Sequence, residues 1–109
     1  MQNDENSSSF VLLRKSIDES ISSLGGPIAK TINWHMDNRG VFSDPKKLDI
    51  DNFSRNLEEL VGPGAEMILE ETADRFEKNA KLSIKTERNV SPAKRILRIM
   101  ELIGGKTEA

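Results

Sequence analysis

The chain has 109 residues, of which 36% are hydrophobic and 31% are charged, a balance typical of one soluble globular domain. It contains no cysteine and one histidine, which excludes disulfides and thiolate metal sites and leaves little for histidine-based catalysis. No apolar run is long enough for a transmembrane helix and no segment has the pattern of a signal peptide, so we expect a cytoplasmic protein without membrane association.

The net charge of −2 hides an uneven distribution along the chain. Residues 1–77 have eight basic and fifteen acidic side chains, a net charge of −7, whereas residues 78–109 have eight basic and three acidic ones, a net charge of +5. A basic segment of this kind binds nucleic acid or an acidic protein, or folds back onto acidic helices of its own chain. We favour the last alternative, in which the basic segment folds back onto acidic helices of its own chain.

In the first half of the chain, the pattern predicts a polar, disordered leader over residues 1–8 and two helices. The first helix begins at Ser9 as N-cap and ends at the Gly-Gly-Pro turn of residues 25–27. The second runs from Pro27 to about Asn38, and residues 38–49 form a connection tethered by apolar anchors. The apolar stripe of the first helix comprises Phe10, Leu13, Ile17, Ile21 and Leu24, and that of the second comprises Ile28, Thr31, Ile32, His35 and Met36.

Three further helices are predicted in the second half. The third is capped by Asp49 or Asp51 and ends at the Gly-Pro-Gly turn of residues 62–64. The fourth follows directly, and after a linker over residues 85–90 the fifth covers residues 91–103, with Ser91 as N-cap and a flexible tail over 104–109. The third helix buries Phe53, Leu57, Leu60 and Val61, and the fourth buries Ala65, Ile68, Leu69, Thr72, Ala73, Phe76 and Ala80.

These elements predict an all-α fold. Four to five helices make an antiparallel bundle built from two helical hairpins, with a basic amphipathic helix at the C-terminal end. Residues 9–84 form the helical domain, and the C-terminal helix follows it. Each hairpin is closed by a turn rich in glycine and proline.

His35 is the only side chain of its type and is therefore the first candidate for acid-base chemistry. Arg39 and Gly40 follow it at a spacing close to that of a phosphotransfer histidine, and protonation near neutral pH would also make His35 a switch. It lies on the apolar stripe of its helix, however, so we favour a structural role in packing.

No other pattern indicates an enzyme. Carboxylates at Glu66, Glu70, Asp74 and Glu77 recur along the fourth helix, but without a Glu-x-x-His pair they are typical of a solvated acidic face. The glycine-rich turns do not match a phosphate-binding loop, and no serine has the setting of a nucleophile. We expect no metal, no cofactor and no catalytic residue.

The candidate binding residues lie on the second and fifth helices. Trp34 is placed away from the apolar stripe of its helix, so it packs on another element or is exposed for a partner. The fifth helix either docks on its own domain or binds a protein through its apolar face, which comprises Ile96, Ile99, Met100 and Ile103. Its basic side, together with the preceding segment, offers phosphate contacts through Lys85, Arg88, Lys94, Arg95 and Arg98.

Residues 16–25, 29–36 and 53–68 together resemble a small family, the Nitrosopumilus-type archaeal output domain of the fifth type. The shared elements are a Ser-Leu-Gly at the end of the first helix, Ile32 and Trp34-His35 in the second, and Gly-Pro-Gly-Ala over residues 62–65. The resemblance covers about residues 14–78. It implies a helical effector module of archaeal signalling or regulatory proteins, without an established activity, and the tail beyond residue 83 lies outside it.

We therefore expect a non-enzymatic interaction module that binds a protein. Two alternatives stay open: a nucleic-acid-associated protein that uses the basic C-terminal third, and a phosphotransfer or pH-responsive domain centred on His35. The sequence does not indicate an oligomeric state.

Overall fold

The structure is a computed structural model that describes residues 4–43, 48–82 and 90–108, with side chains described from residue 9 to residue 103 within these ranges. Its described part contains five α-helices and no strand, as the all-α prediction requires. The helices are α1 (Asp4–Ser22), α2 (Gly26–Asn38), α3 (Ile50–Val61), α4 (Gly64–Asn79) and α5 (Pro92–Glu108). No helix in these ranges is long and apolar enough to cross a bilayer.

The turns and caps follow the predicted signals. Gly25 has a φ of 109°, a conformation that side-chain-bearing residues rarely adopt, and it lets the chain reverse between α1 and α2. The Asp49 carboxylate accepts hydrogen bonds from the backbone N–H groups of Asp51 and Asn52, and the Ser91 hydroxyl accepts one from Lys94. These caps satisfy N–H groups that have no partner inside the helix.

Two helix ends differ from the prediction. Helix α1 begins at Asp4, so the helix includes much of the expected leader, and Ser9 is buried inside the helix instead of capping it. Helix α5 continues through Gly104 and Gly105 to Glu108, into the expected flexible tail. Glycine costs a helix about 1 kcal/mol relative to alanine but does not break it as proline does, so a glycine pair ends a helix only when the following residues favour a turn. The predicted linker at 85–90 lies almost entirely outside the described residues.

Helix α4 is the centre of the bundle. It packs most extensively on α1 and α5 and less on α3, whereas α2 contacts only α1 and α3 in the described part of the chain. Its predicted stripe is buried from Ala65 to Phe76. Helices α1 and α4 run antiparallel, as the hydrogen-bonded pairs Ser20–Thr72 and Ser16–Asn79 show. The residue of α4 that is contacted has a higher number when the residue of α1 has a lower one.

Small buried hydroxyls line the contact between α1 and α4. The Thr72 hydroxyl lies 3.0 Å from the Ser20 hydroxyl and 2.8 Å from the Ile68 carbonyl. Asn79 Nδ2 donates to the Ser16 hydroxyl at 3.0 Å, and Ser16 in turn donates to the Leu12 carbonyl. Each of these buried groups is therefore hydrogen-bonded, and the small side chains let the two helices approach closely.

The connection between α2 and α3 is anchored as predicted. Val41, Phe42 and Leu48 are buried, with exposures of 5%, 9% and 8%. The centroids of the Phe42 and Phe53 rings lie 6.0 Å apart, and the Arg14 guanidinium lies 3.8 Å from the centroid of the Phe42 ring. A cation over an aromatic face is stabilising, so α1 helps to hold this connection on the body of the bundle.

Candidate functional site

The apolar face of α5 belongs to the core of the domain. Ile96 and Ile99 are fully buried, and Met100 and Ile103 are partly buried against the same core. This placement corrects the expectation of a partner on that face, since α5 docks on its own domain and covers those side chains itself. Amphipathic periodicity shows that a helix has an apolar face but does not show which surface covers it.

Arg95 is also used within the domain. Its guanidinium donates to Asp74 at 3.0 Å and to Glu77 at 3.1 Å, and only 17% of its side chain is exposed. Burial by itself would lower the pKa of Arg95, but the hydrogen bonds and charges of Asp74 and Glu77 outweigh it and raise that pKa. Arg95 of the basic segment therefore pairs with acidic residues of α4, as predicted for a segment that folds back on its own domain, and it is not available to a phosphate.

The rest of the predicted basic surface is divided. Lys94 and Arg98 are exposed on the outer side of α5, where Glu101 lies within the same two turns. Lys85 and Arg88 lie outside the described residues. The described part of this surface thus has mixed charge, which weakens it as a site for a polyanion.

Three carboxylates of α4 are paired with arginines. Glu71 pairs with Arg75 in the next turn, Arg75 lies 3.8 Å from Glu19 of α1, and Asp74 and Glu77 pair with Arg95. Among the described residues, no group of three or more acidic or histidine side chains is placed to hold a metal ion. Glu66 and Glu70 are exposed, as expected for a solvated face.

His35 is partly buried between the core side and the outer side of α2. Its Nε2 atom is shielded from solvent and has no hydrogen-bond partner in the described structure, and the same holds for Oδ1 of Asn33. Arg39, which the phosphotransfer hypothesis placed beside His35, instead binds α3, with its guanidinium 3.0 Å from Glu59 and 3.2 Å from the Asn56 amide oxygen. One ring nitrogen is thus shielded and Arg39 is engaged with another helix, which agrees better with a packing role.

Trp34, unlike the partly buried His35, lies on the outer side of α2 and is exposed to solvent. Its side chain is 69% exposed, since the core side of the helix is formed by Ile32 and Met36 and Trp34 points away from both. The prediction left open whether it packs on another element, and among the described residues no helix covers it. An exposed tryptophan keeps a large apolar area in water, an unfavourable arrangement that binding of a partner relieves.

Two further apolar side chains, one in the turn before α2 and one in its first turns, are also exposed. Leu24 in the turn before α2 is 38% exposed and Ile28 in its first turns is 50% exposed, although both were predicted to lie on the core stripe. They are uncovered because α2 contacts only two neighbouring helices, so its buried stripe is narrower than the apolar pattern. Ile28 lies six residues before Trp34, about 120° around the helix, so the two do not share a face. We call Trp34, together with Lys30 and Asp37, which are exposed on the same side of the helix, the α2 surface.

The α2 surface is therefore the candidate site that the structure leaves open to a partner. Sequence reasoning identified Trp34 as a candidate, whereas it placed Leu24 and Ile28, which are exposed, on core stripes. Comparison with known proteins found no matching family model, and no curated protein or solved structure with significant similarity to the chain.

Proposed function

We propose that this chain is a non-enzymatic interaction module that binds a protein through the α2 surface. The observation that carries the proposal is the 69% exposure of Trp34 on a helix whose outer side contacts no other described helix. Tryptophan is the residue most enriched among those that dominate binding energy, because its large rigid ring buries much area at little entropic cost.

The packing of the remaining candidate residues supports the same choice. Ile96 and Ile99 stabilise the domain, Arg95 closes ion pairs with α4, and the His35 ring is partly buried. The resemblance to the archaeal output domain points in the same direction, since it implies an effector module of archaeal signalling or regulatory proteins, for which no biochemical activity is established.

The test is affinity capture from a lysate of the native host with three forms of the chain: wild type, Trp34→Ala and Met67→Ala. Met67 is 73% exposed on α4, so its truncation removes a similar exposed apolar group from another surface. We expect a discrete protein that wild type and Met67→Ala retain and that Trp34→Ala loses by at least about tenfold.

Nuclease treatment and salt separate this function from nucleic-acid binding. A phosphate-dependent complex loses affinity steeply between about 50 and 200 mM salt, whereas an apolar contact does not. The proposal is wrong if retention is equal for Trp34→Ala and wild type, or if all retained material disappears with nuclease.

A further inference from the structure

The outer face of α2 has the spacing of a helix-helix contact. Its outermost residues are Pro27, Lys30, Trp34 and Asp37, all exposed, which follow one another at steps of three, four and three. This is the spacing with which one helix presents a seam to another helix. Within the described chain no helix occupies that seam, since α2 contacts only α1 and α3 from its other sides.

The charges on this face complement a copy of themselves. Lys30 lies four residues before Trp34 and Asp37 lies three residues after it, and neither takes part in an ion pair in the described structure. When two α2 helices pack antiparallel about a twofold axis near Trp34, Lys30 of each copy stands opposite Asp37 of the other. A twofold contact forms every pair twice, so the arrangement gives two ion pairs around two apposed tryptophans.

The same two charges cannot satisfy each other within one chain. Seven residues separate them along the helix, which corresponds to about 10 Å at a rise of roughly 1.5 Å per residue. A parallel arrangement of two α2 helices would place like charges together. The antiparallel twofold contact is thus the one that pairs both charges and covers Trp34.

We infer that the partner of the α2 surface is a second copy of this chain, which binds as an antiparallel α2–α2 dimer centred on Trp34. This inference rests on the proposed function, because it names the partner of the same surface. One pair of short helices buries less area than the roughly 1,200–2,000 Å² of a stable interface, so we expect a weak dimer with a dissociation constant above about 1 µM.

The experiment measures self-association of the full chain by analytical ultracentrifugation over roughly 5–500 µM, a range chosen for a weak interface. Trp34 is the only tryptophan, so its fluorescence reports directly on the proposed contact. We expect dimer formation with a blue shift of the emission as the concentration rises. Trp34→Ala should weaken self-association at least about tenfold, and Met67→Ala should leave it unchanged.

Charge reversal tests the pairing itself. Lys30→Glu and Asp37→Lys each place two like-charged pairs in the contact, so each variant alone should self-associate about tenfold more weakly. The double variant Lys30→Glu/Asp37→Lys restores opposite charges and should return to within about threefold of wild type. An equimolar mixture of the two single variants should form a heterodimer, because every pair across that contact is again attractive.

Three results would overturn the inference: a monomer throughout the concentration range, a dimer insensitive to Trp34→Ala, or a failure of both the double variant and the mixture to recover association. Circular dichroism of each variant confirms that the helices are intact, so loss of folding is not mistaken for loss of contact. A monomer that still captures another protein in a Trp34-dependent way refutes this inference and leaves the proposed function standing. A monomer that captures nothing refutes both.

Discussion

Truncation of Ile99 tests whether α5 is part of the domain. Ile99 is fully buried, whereas Leu97, two residues earlier on the same helix, is 44% exposed. Ile99→Ala removes three buried carbon groups, each contributing about 0.8 kcal/mol, and leaves a cavity, so the expected loss in the free energy of unfolding is about 2–5 kcal/mol. Leu97→Ala serves as the matched control and should cost less than about 1 kcal/mol.

The assay is urea unfolding followed by circular dichroism at 222 nm. Fluorescence is a poor probe here, because the single tryptophan is already exposed in the folded state. The free energy of unfolding of a small domain falls by about 1–3 kcal/mol per M of urea. The expected loss for Ile99→Ala should therefore lower the urea midpoint by roughly 1–3 M, a large part of a total stability of about 5–15 kcal/mol. Equal midpoints for the two variants, or a loss below about 0.5 kcal/mol for Ile99→Ala, would refute the docking of α5 on the core.

Three further substitutions probe polar groups, each measured by the same unfolding assay. Arg95→Ala removes the hydrogen bond from Arg95 to the Glu77 carboxylate, whose side chain is only 18% exposed, and should cost about 1–3 kcal/mol. The control Lys94→Ala, at an exposed position, should cost less than about 0.5 kcal/mol. The contribution of a group whose pKa is raised on folding is complete below its unfolded pKa, so the Arg95→Ala loss should be the same at about pH 7 and pH 9, and a loss that vanishes at the higher pH would contradict it. Thr72→Val removes a buried hydroxyl between α1 and α4 and should cost about 0.5–1.5 kcal/mol; an unchanged midpoint would mean that the hydrogen bonds of this hydroxyl contribute nothing to stability. His35→Phe replaces a ring nitrogen that has no partner in the described structure, so stability should be unchanged or higher by up to about 1 kcal/mol, and loss of partner capture with intact folding would instead show that the imidazole has a function.

Local physics was enough to predict most of the elements. Asp49 and Ser91 are placed to accept hydrogen bonds from the first turns of α3 and α5, and the glycine and proline turns separate the helices where the pattern indicated. The stripe of α4 is buried because its apolar residues recur at the helical period whatever covers them. These features depend on residues a few positions apart, which is the range over which a sequence pattern is informative.

The helix ends that differ from the prediction are those without a strong stop signal in the sequence. Nothing between residues 4 and 9 breaks a helix, so α1 extends to Asp4 once its later turns are held on the bundle. Helix α5 crosses two glycines for the same reason, since packing of Ile96 and Ile99 stabilises the turns before them. Propensity is a small free energy that tertiary contacts override.

Only the tertiary structure decided which apolar faces are covered and which charges are paired. Helices α2 and α5 each have an apolar face, yet that of α5 packs on α1, α3 and α4, whereas Ile28 on the stripe of α2 is 50% exposed. Arg95 and Lys94 are neighbours with the same charge, and only Arg95 reaches Asp74 and Glu77. A sequence determines the direction in which a side chain leaves its helix, but the surface that it meets is contributed by residues distant in the chain, and their position follows from the packing of the whole bundle.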